Sequence, residues 1–271
     1  MQQLKAIIFD VDGTLANTEE THRLAFNAAF QEFGLNYHWS EQDYIELLSI
    51  SGGRERITAF LKSQNDFNFT TEIKLREFAR QIHERKSEIY REKLVAGHIG
   101  LRSGVKRLIA EARQKQIKIG IATATSYANV KTLLENNLGS GALDNFAVIV
   151  TSDIVKDKKP YPVVYQFAIA ELGLVPEDCI AIEDTANGNL AAYNSGLQVV
   201  ITTHNFTTDN DFSGASLVVD QLGEPDQPFN ITSGNAYDSS YVDIALLNKI
   251  LESSHQGIAR NRIDDAVVMA K

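Results

Sequence analysis

Apolar residues along the chain are arranged in two ways. One is the short, nearly unbroken run: Leu4 to Phe9, Ile117 to Ala122, Phe146-Ala147-Val148-Ile149-Val150, Ile180-Ala181-Ile182, and the stretches 197–202 and 216–220. Such runs suit strands covered on both faces, as in a parallel sheet flanked by helices, because a half-exposed sheet would alternate apolar with polar. The other is helical spacing, over 18–33 up to Gly34, then over 44–48, 55–61, a long charged stretch at 71–94, 104–112 and 241–251. Thr18 and Glu19-Glu20 suit the positive end of the first helix. Between Gly34 and about Val95 no strand pattern intervenes, which is too much chain for a crossover between neighbouring strands. The expected class is α/β: a Rossmann-like parallel sheet core with an inserted helical segment.

Ligands in such sheets bind beyond the carboxyl ends of the strands, and here those ends are polar. The first run breaks into Asp10-Val11-Asp12-Gly13-Thr14. Continued as a strand, it would project Asp10 and Asp12 the same way, and their repulsion calls for a cation, a divalent metal being the obvious one. The second run, read as 117–126, ends in Thr123-Ala124-Thr125-Ser126, the third leads to Lys156-Asp157-Lys158-Lys159-Pro160, and the fourth ends in Glu183-Asp184. Within the helical segment, Ser51-Gly52-Gly53-Arg54-Glu55-Arg56 puts two glycines and two guanidiniums in a loop that opens a helix, an arrangement able to grip an anion, with Arg54 the first candidate. Taken singly, each feature has a plain structural reading. A hydroxyl after a strand caps a helix, Arg54 pairs with a neighbouring carboxylate, and Lys86 lies on a solvated face.

Bulk properties narrow the classes. The chain has 271 residues, 44% hydrophobic and 23% charged, enough for a large α/β core with room for an insertion. A net charge of -9 and a pI near 5.2 argue against general affinity for nucleic acid or anionic membranes. The single cysteine, Cys179, excludes an intrachain disulfide and sits in an apolar run, as a small core residue does. No 18-residue apolar span occurs, and the first strand begins almost at once, leaving no room for a signal or transit peptide. A cytoplasmic location is expected, with a plastid stroma equally compatible. No internal repeat or low-complexity block appears.

Asp10-Val11-Asp12-Gly13-Thr14 resembles the first motif of the haloacid dehalogenase-like (HAD) superfamily, and the later strand ends resemble motifs two, three and four in order, over residues 6 to about 205. The resemblance implies that Asp10 is a nucleophile forming an aspartyl-phosphate and that Asp12 is its general acid and base. It implies that Thr123 Oγ and the Ala124 N–H bind the transferring phosphoryl group. Lys159, immediately before the proline and preferred on that ground to Lys156 and Lys158, neutralises charge on nucleophile and phosphoryl group. Mg²⁺ is implied at Asp10, the Asp12 carbonyl and Asp184, with Glu183 helping directly or through water, and Asn187 orients Lys159 or the loop. Tyr161 and Val163 depart from the common form of motif three, where an Asp ordinarily caps a helix.

The same resemblance turns the helical insertion into a cap at 18–94, with a discontinuous core at 1–17 and 95–252 and a tail at 253–271. It implies substrate-facing roles for Gly52, Gly53, Arg54 and Lys86, and for Glu20 ahead of His22. Within the superfamily, DGTLANTEETHRLAFNAAF, the Gly52-Gly53-Arg54 loop and LGEPDQP are most similar to CbbY-type enzymes of the Calvin cycle, which implies a Mg²⁺-dependent phosphatase of xylulose 1,5-bisphosphate. A β-phosphoglucomutase-like phosphotransferase is the rival enzyme class. Dehalogenase chemistry needs neither the metal nor a second acid, and a non-catalytic binding module would not need every reactive position. The expected partner is a small phosphorylated sugar, with no nucleic acid, no membrane and a monomeric state.

Overall fold

The computed structural model describes residues 3–50, 52–64, 71–97 and 99–253. Its organising element is β1 (Ala6–Phe9), every residue of which is buried. Ala6 and Ile8 enter the apolar cluster on one face of the sheet, Ile7 and Phe9 the cluster on the other. The neighbouring β4 (Cys179–Glu183) divides likewise, Ile180 and Ile182 to one side, Cys179 and Ala181 to the other. Two covered faces therefore explain why these strands read as unbroken apolar runs. Cys179 is a free, fully buried core residue, and burial pushes its thiol up to about 12.

Seven strands form one sheet in the order β3-β2-β1-β4-β5-β6-β7. The others are β2 (Lys118–Ala122), β3 (Val148–Val150), β5 (Gln198–Thr202), β6 (Leu217–Val219) and β7 (Ile231–Gly234), all parallel to their neighbours except β7, which runs antiparallel to β6. The α/β class and the parallel core match expectation. β7 does not, since the turn-rich region after Leu222 gave no strand pattern. All four of its residues are exposed, so backbone pairing at the edge holds it and no hydrophobic signature marks it.

Four helices follow β1 with no strand among the described residues: α1 (Glu19–Glu32), α2 (Glu41–Leu48), α3 (Gly53–Ser63) and α4 (Glu72–Val95). α2 starts earlier than its apolar spacing suggests because Ser40 and Asp43 form a capping box that satisfies two end groups. α4 buries Leu75, Ala79, Ile82, Lys86, Ile89, Tyr90 and Leu94. By that spacing Lys86 holds a place on the apolar stripe, so the solvated-face reading is corrected. The remaining helices are α5 (Val105–Gln114), α6 (Tyr127–Leu138), α7 (Val163–Leu172), α8 (Ala186–Asn194) and α9 at 244–253. The second strand stops at Ala122 rather than running to Ser126, because Ser126 turns to cap α6. The expected tail lies outside the described residues apart from Ser253, which is helical. Among the described residues no helix is long and apolar enough to cross a membrane.

Register places the chemistry. Phe9 is level with Ile121 on one side and Ile182 on the other. Asp10, Thr123 and Glu183-Asp184 therefore emerge together at the carboxyl edge, on either side of the point where the strand order reverses.

Candidate active site

Asp10, buried just beyond β1, meets Lys159: Nζ donates to Asp10 Oδ1 at 2.5 Å and to Glu183 Oε1 at 2.5 Å. Glu183 Oε1 also accepts the Tyr165 hydroxyl at 2.7 Å, and Oε2 accepts the backbone N–H of Asp184 at 3.0 Å. Fully buried, Glu183 thus serves as the anchor that aims Lys159. Gly188, in the first turn of α8, lies against it, for a Cβ there would come within 2.0 Å of Oε2. Asp184 Oδ1 accepts from Thr14 at 2.9 Å, and Oδ2 lies 2.9 Å from His204 Nε2. The turn between Asp12 and Thr14 passes so close that a Cβ on Gly13 would sit 2.1 Å from Asp184 Oδ2, and Gly13 has φ +86°; only glycine satisfies both demands.

Asp10, Glu183 and Asp184 can each place an oxygen within 4.8 Å of the other two, and all three are buried. Burial pushes Asp10 well above the usual carboxylate range, with Lys159 pulling it down by less, and burial beside Glu183 raises Asp184 in the same way. Burial alone would depress the Lys159 ammonium, but the charges of Asp10 and Glu183 outweigh it and hold its pKa above the ordinary value. One ammonium against three carboxylates leaves a negative excess among hard oxygen donors. That donor set fits a divalent cation such as Mg²⁺, with Asp10 and Asp184 the residues that would hold it. The Asp12 side chain is not one of this group of three.

Asp12 Oδ1 accepts from Thr18 Oγ1 at 2.7 Å and lies 3.3 Å from His22 Nε2. Burial acts to raise Asp12, but His22, the Thr18 hydroxyl and Lys86 together hold it below the usual carboxylate value. His22 stacks on Tyr90 with centroids 3.9 Å apart, and its Nδ1 lies 2.7 Å from Lys86 Nζ. Burial lowers Lys86 to about 7, and its Nζ also sits 4.5 Å from the Phe26 ring centre. An ammonium donating to Nδ1 leaves Nε2–H to face Asp12, which assigns the His22 tautomer from its partners.

The cleft between the sheet edge and the helices, about 400 Å³, is lined by Asp10, Asp12, Gly52, Gly53, Lys86, Thr123, Ala124, Lys159, Asp184 and Asn187, so most of the expected residues share one space. Two do not. Glu20 forms a two-pronged pair with Arg23 at 2.8 and 2.7 Å on the open side of α1, and its neighbour Glu19 faces the cleft, accepting from Tyr44 Oη at 2.8 Å. Arg54 pairs with Glu55 at 3.2 Å and lines an outer groove between α3 and α4; its side chain is 56% exposed. The arginines that border the cleft are Arg56 and Arg91, and the Arg56 guanidinium is occupied by the carbonyls of Leu47 and Ile50 and by Tyr44 Oη. Both corrections come from helix phase, since one residue turns a side chain by about 100°. Sequence reasoning also missed Arg102, whose guanidinium donates to the carbonyls of Gly13, Thr202, Thr203 and Asp220, and His204 against Asp184. Neither stands in a pattern that would mark it.

Residues 7–202 match the haloacid dehalogenase-like hydrolase family. Over 225 residues the chain is 42% identical to protein CbbY of Cupriavidus necator, covering 83% of this chain and 88% of that one. The fold superposes on a crystal structure of a CbbY mutant from Rhodobacter sphaeroides in complex with xylulose-(1,5)bisphosphate. That match has a TM-score of 0.74 and 39% identity, and covers 81% of this chain and 95% of that one. The β-phosphoglucomutase of Bacillus subtilis is 26% identical over 224 residues, covering 82% of this chain and 91% of that one.

Proposed function

The chain belongs to the haloacid dehalogenase-like hydrolase family and is a phosphoric monoester hydrolase within it; from there we propose that it removes one phosphate from a small sugar bisphosphate through phosphorylation of Asp10. The observation that carries this reading is the Asp10–Lys159 pair at the end of the central strand, 2.5 Å apart and buried, with Asp12 two residues on and held separately by Thr18 and His22. One carboxylate is thereby kept next to fixed positive charge, and the other next to a group that can move a proton.

An Asp10 oxygen attacks phosphorus in line, the phosphorus–sugar oxygen bond breaks, and Asp12 delivers a proton to the departing alkoxide. Asp12 rests ionised, so that proton has to arrive. Lys86, with a pKa of about 7, can pass one to His22 Nδ1, and Nε2 can release one to Asp12. In the second half Asp12 takes a proton from water, whose oxygen attacks phosphorus and frees Asp10 and inorganic phosphate. Thr123 Oγ1, the Ala124 N–H and Lys159 hold the phosphoryl oxygens. Mg²⁺ bound at Asp10 and Asp184 would neutralise phosphoryl charge as a Lewis acid. Helices α1–α4 act as the cap that keeps bulk water out.

Xylulose 1,5-bisphosphate is the substrate proposed, supported by the CbbY relative that holds it. A cleft with Lys159, Thr123 and Ala124 on one wall and Lys86 and the Gly52-Gly53 start of α3 on the other suits a molecule anionic at both ends. The test is phosphate release from xylulose 1,5-bisphosphate, from pentulose and hexose monophosphates and from β-glucose 1-phosphate, with Mg²⁺ and with chelator. Preference for the bisphosphate with Mg²⁺ is expected. Equal rates on monophosphates would remove the two-phosphate reading, and glucose 6-phosphate formed without free phosphate would replace it with a mutase.

A further inference from the structure

We propose that His204 is a positioning residue for the metal-binding carboxylate Asp184, an inference that rests on the divalent-cation reading above. Asp184 is held at both ends. Thr14 Oγ1 donates to Oδ1 at 2.9 Å and His204 Nε2 meets Oδ2 at 2.9 Å, so the carboxylate cannot rotate about its last bond without losing one of them. Each of its oxygens keeps a further lone pair, and the group remains within 4.8 Å of Asp10 and Glu183.

The imidazole is itself fixed. Its Nδ1 accepts the backbone N–H of Phe206 at 3.3 Å, which leaves Nε2 as the protonated nitrogen that donates to Asp184. The His204 backbone N–H donates to Thr207 Oγ1 at 3.1 Å, and the side chain is only 8% exposed. Arg102 clamps the segment that carries it. One guanidinium spans the Gly13 carbonyl, the Thr202 carbonyl at 2.9 Å, the Thr203 carbonyl at 2.6 Å and the Asp220 carbonyl at 2.7 Å, tying the ends of β5 and β6 to the turn after Asp12. Against that turn a Cβ on Gly13 would approach His204 Nε2 to 2.7 Å, so the loop, the carboxylate and the imidazole form one packed unit. Partners that orient a ligating carboxylate in this way commonly change metal affinity 10- to 100-fold when removed.

The experiment is Mn²⁺ binding to the full chain, read by electron paramagnetic resonance of free Mn²⁺, for wild type, His204→Leu, His204→Asn and His204→Gln, with the melting temperature of each metal-free protein as a fold control. Glutamine can place an N–H near Nε2, whereas asparagine stops short. The expected result is affinity about 10-fold weaker for the Leu and Asn variants and within about threefold of wild type for Gln. If Leu does not fold, Asn carries the comparison. Wild-type affinity in the Asn or Leu variant, or a Gln variant as weak as they are, overturns the role of His204. Absence of Mn²⁺ binding by the wild type overturns the metal reading, and this inference with it.

Discussion

Lys86 Nζ lies 2.7 Å from His22 Nδ1, and this contact joins α4 to α1 beside Asp12. Burial lowers the lysine to about 7 from an ordinary 10.5. The unfolded chain therefore keeps this proton up to the ordinary value, and the folded one only to about 7. The folded state is penalised in full below pH 7, and the penalty fades as the pH rises toward 10.5. Lys86→Met should raise stability by on the order of 1–3 kcal/mol, a few degrees in a chain of this size. The gain is expected to be larger at pH 6 than at pH 9.5, while turnover falls. Calorimetry at the two pH values checks it, and a gain that grew with pH would contradict the assignment.

Lys159 is the counter-charge of two buried carboxylates. Lys159→Met should lower kcat by at least about 100-fold and cost roughly 3–5 kcal/mol of stability, since it leaves Asp10 and Glu183 without their cation. Asp10→Asn should abolish turnover while keeping the fold. Rapid-quench detection of a phosphorylated protein in the wild type, and its absence in Asp10→Asn, separates covalent catalysis from direct attack by water.

Asp10 and Asp184 both stand well above the carboxylate value of 3.8. A raised acid pKa means that the metal-free fold binds protons the unfolded chain has released, so its stability declines as pH rises through that range. Mg²⁺ competes with those protons. Its stabilising effect should therefore increase from about pH 5 to pH 8, and a chelator should remove it. A thermal shift independent of pH would argue against these carboxylates as ligands.

Arg54 faces the outer groove, while Lys86 faces the cleft. Arg54→Ala should leave KM for a sugar bisphosphate within about twofold, and Lys86→Ala should raise it about tenfold or more, the scale of a lost charge-assisted bond. Steady-state kinetics on the two variants decides between them.

Lys158 and Glu55 pair at 2.7 Å beside Gly52, joining the segment before Lys159 to α3, each more than a third exposed. Such a pair contributes at most about 1 kcal/mol to stability. Glu55→Gln should therefore leave the melting temperature nearly unchanged while raising KM a few-fold by loosening the helices over the site. The exchanged pair Glu55→Lys with Lys158→Glu should restore it.

The sequence by itself determined six of the seven strands and which polar residues stand at their carboxyl ends, because β1 and β4 are apolar on both faces and Asp10 and Glu183-Asp184 follow directly in the chain. Periodicity likewise marked α4, and its stripe already held the place of Lys86. What only the tertiary structure decided was direction and company. A step of one residue on a helix put Glu19 rather than Glu20 beside the cleft, and a step of two put Arg56 there rather than Arg54. β7 exists through backbone pairing, which leaves no apolar trace. Arg102 and His204 stand 82 and 20 positions from Asp184, and sheet order alone carries them to it. Local pattern records burial, which each residue feels for itself, whereas orientation and long-range contact come into being only when separate segments share one surface.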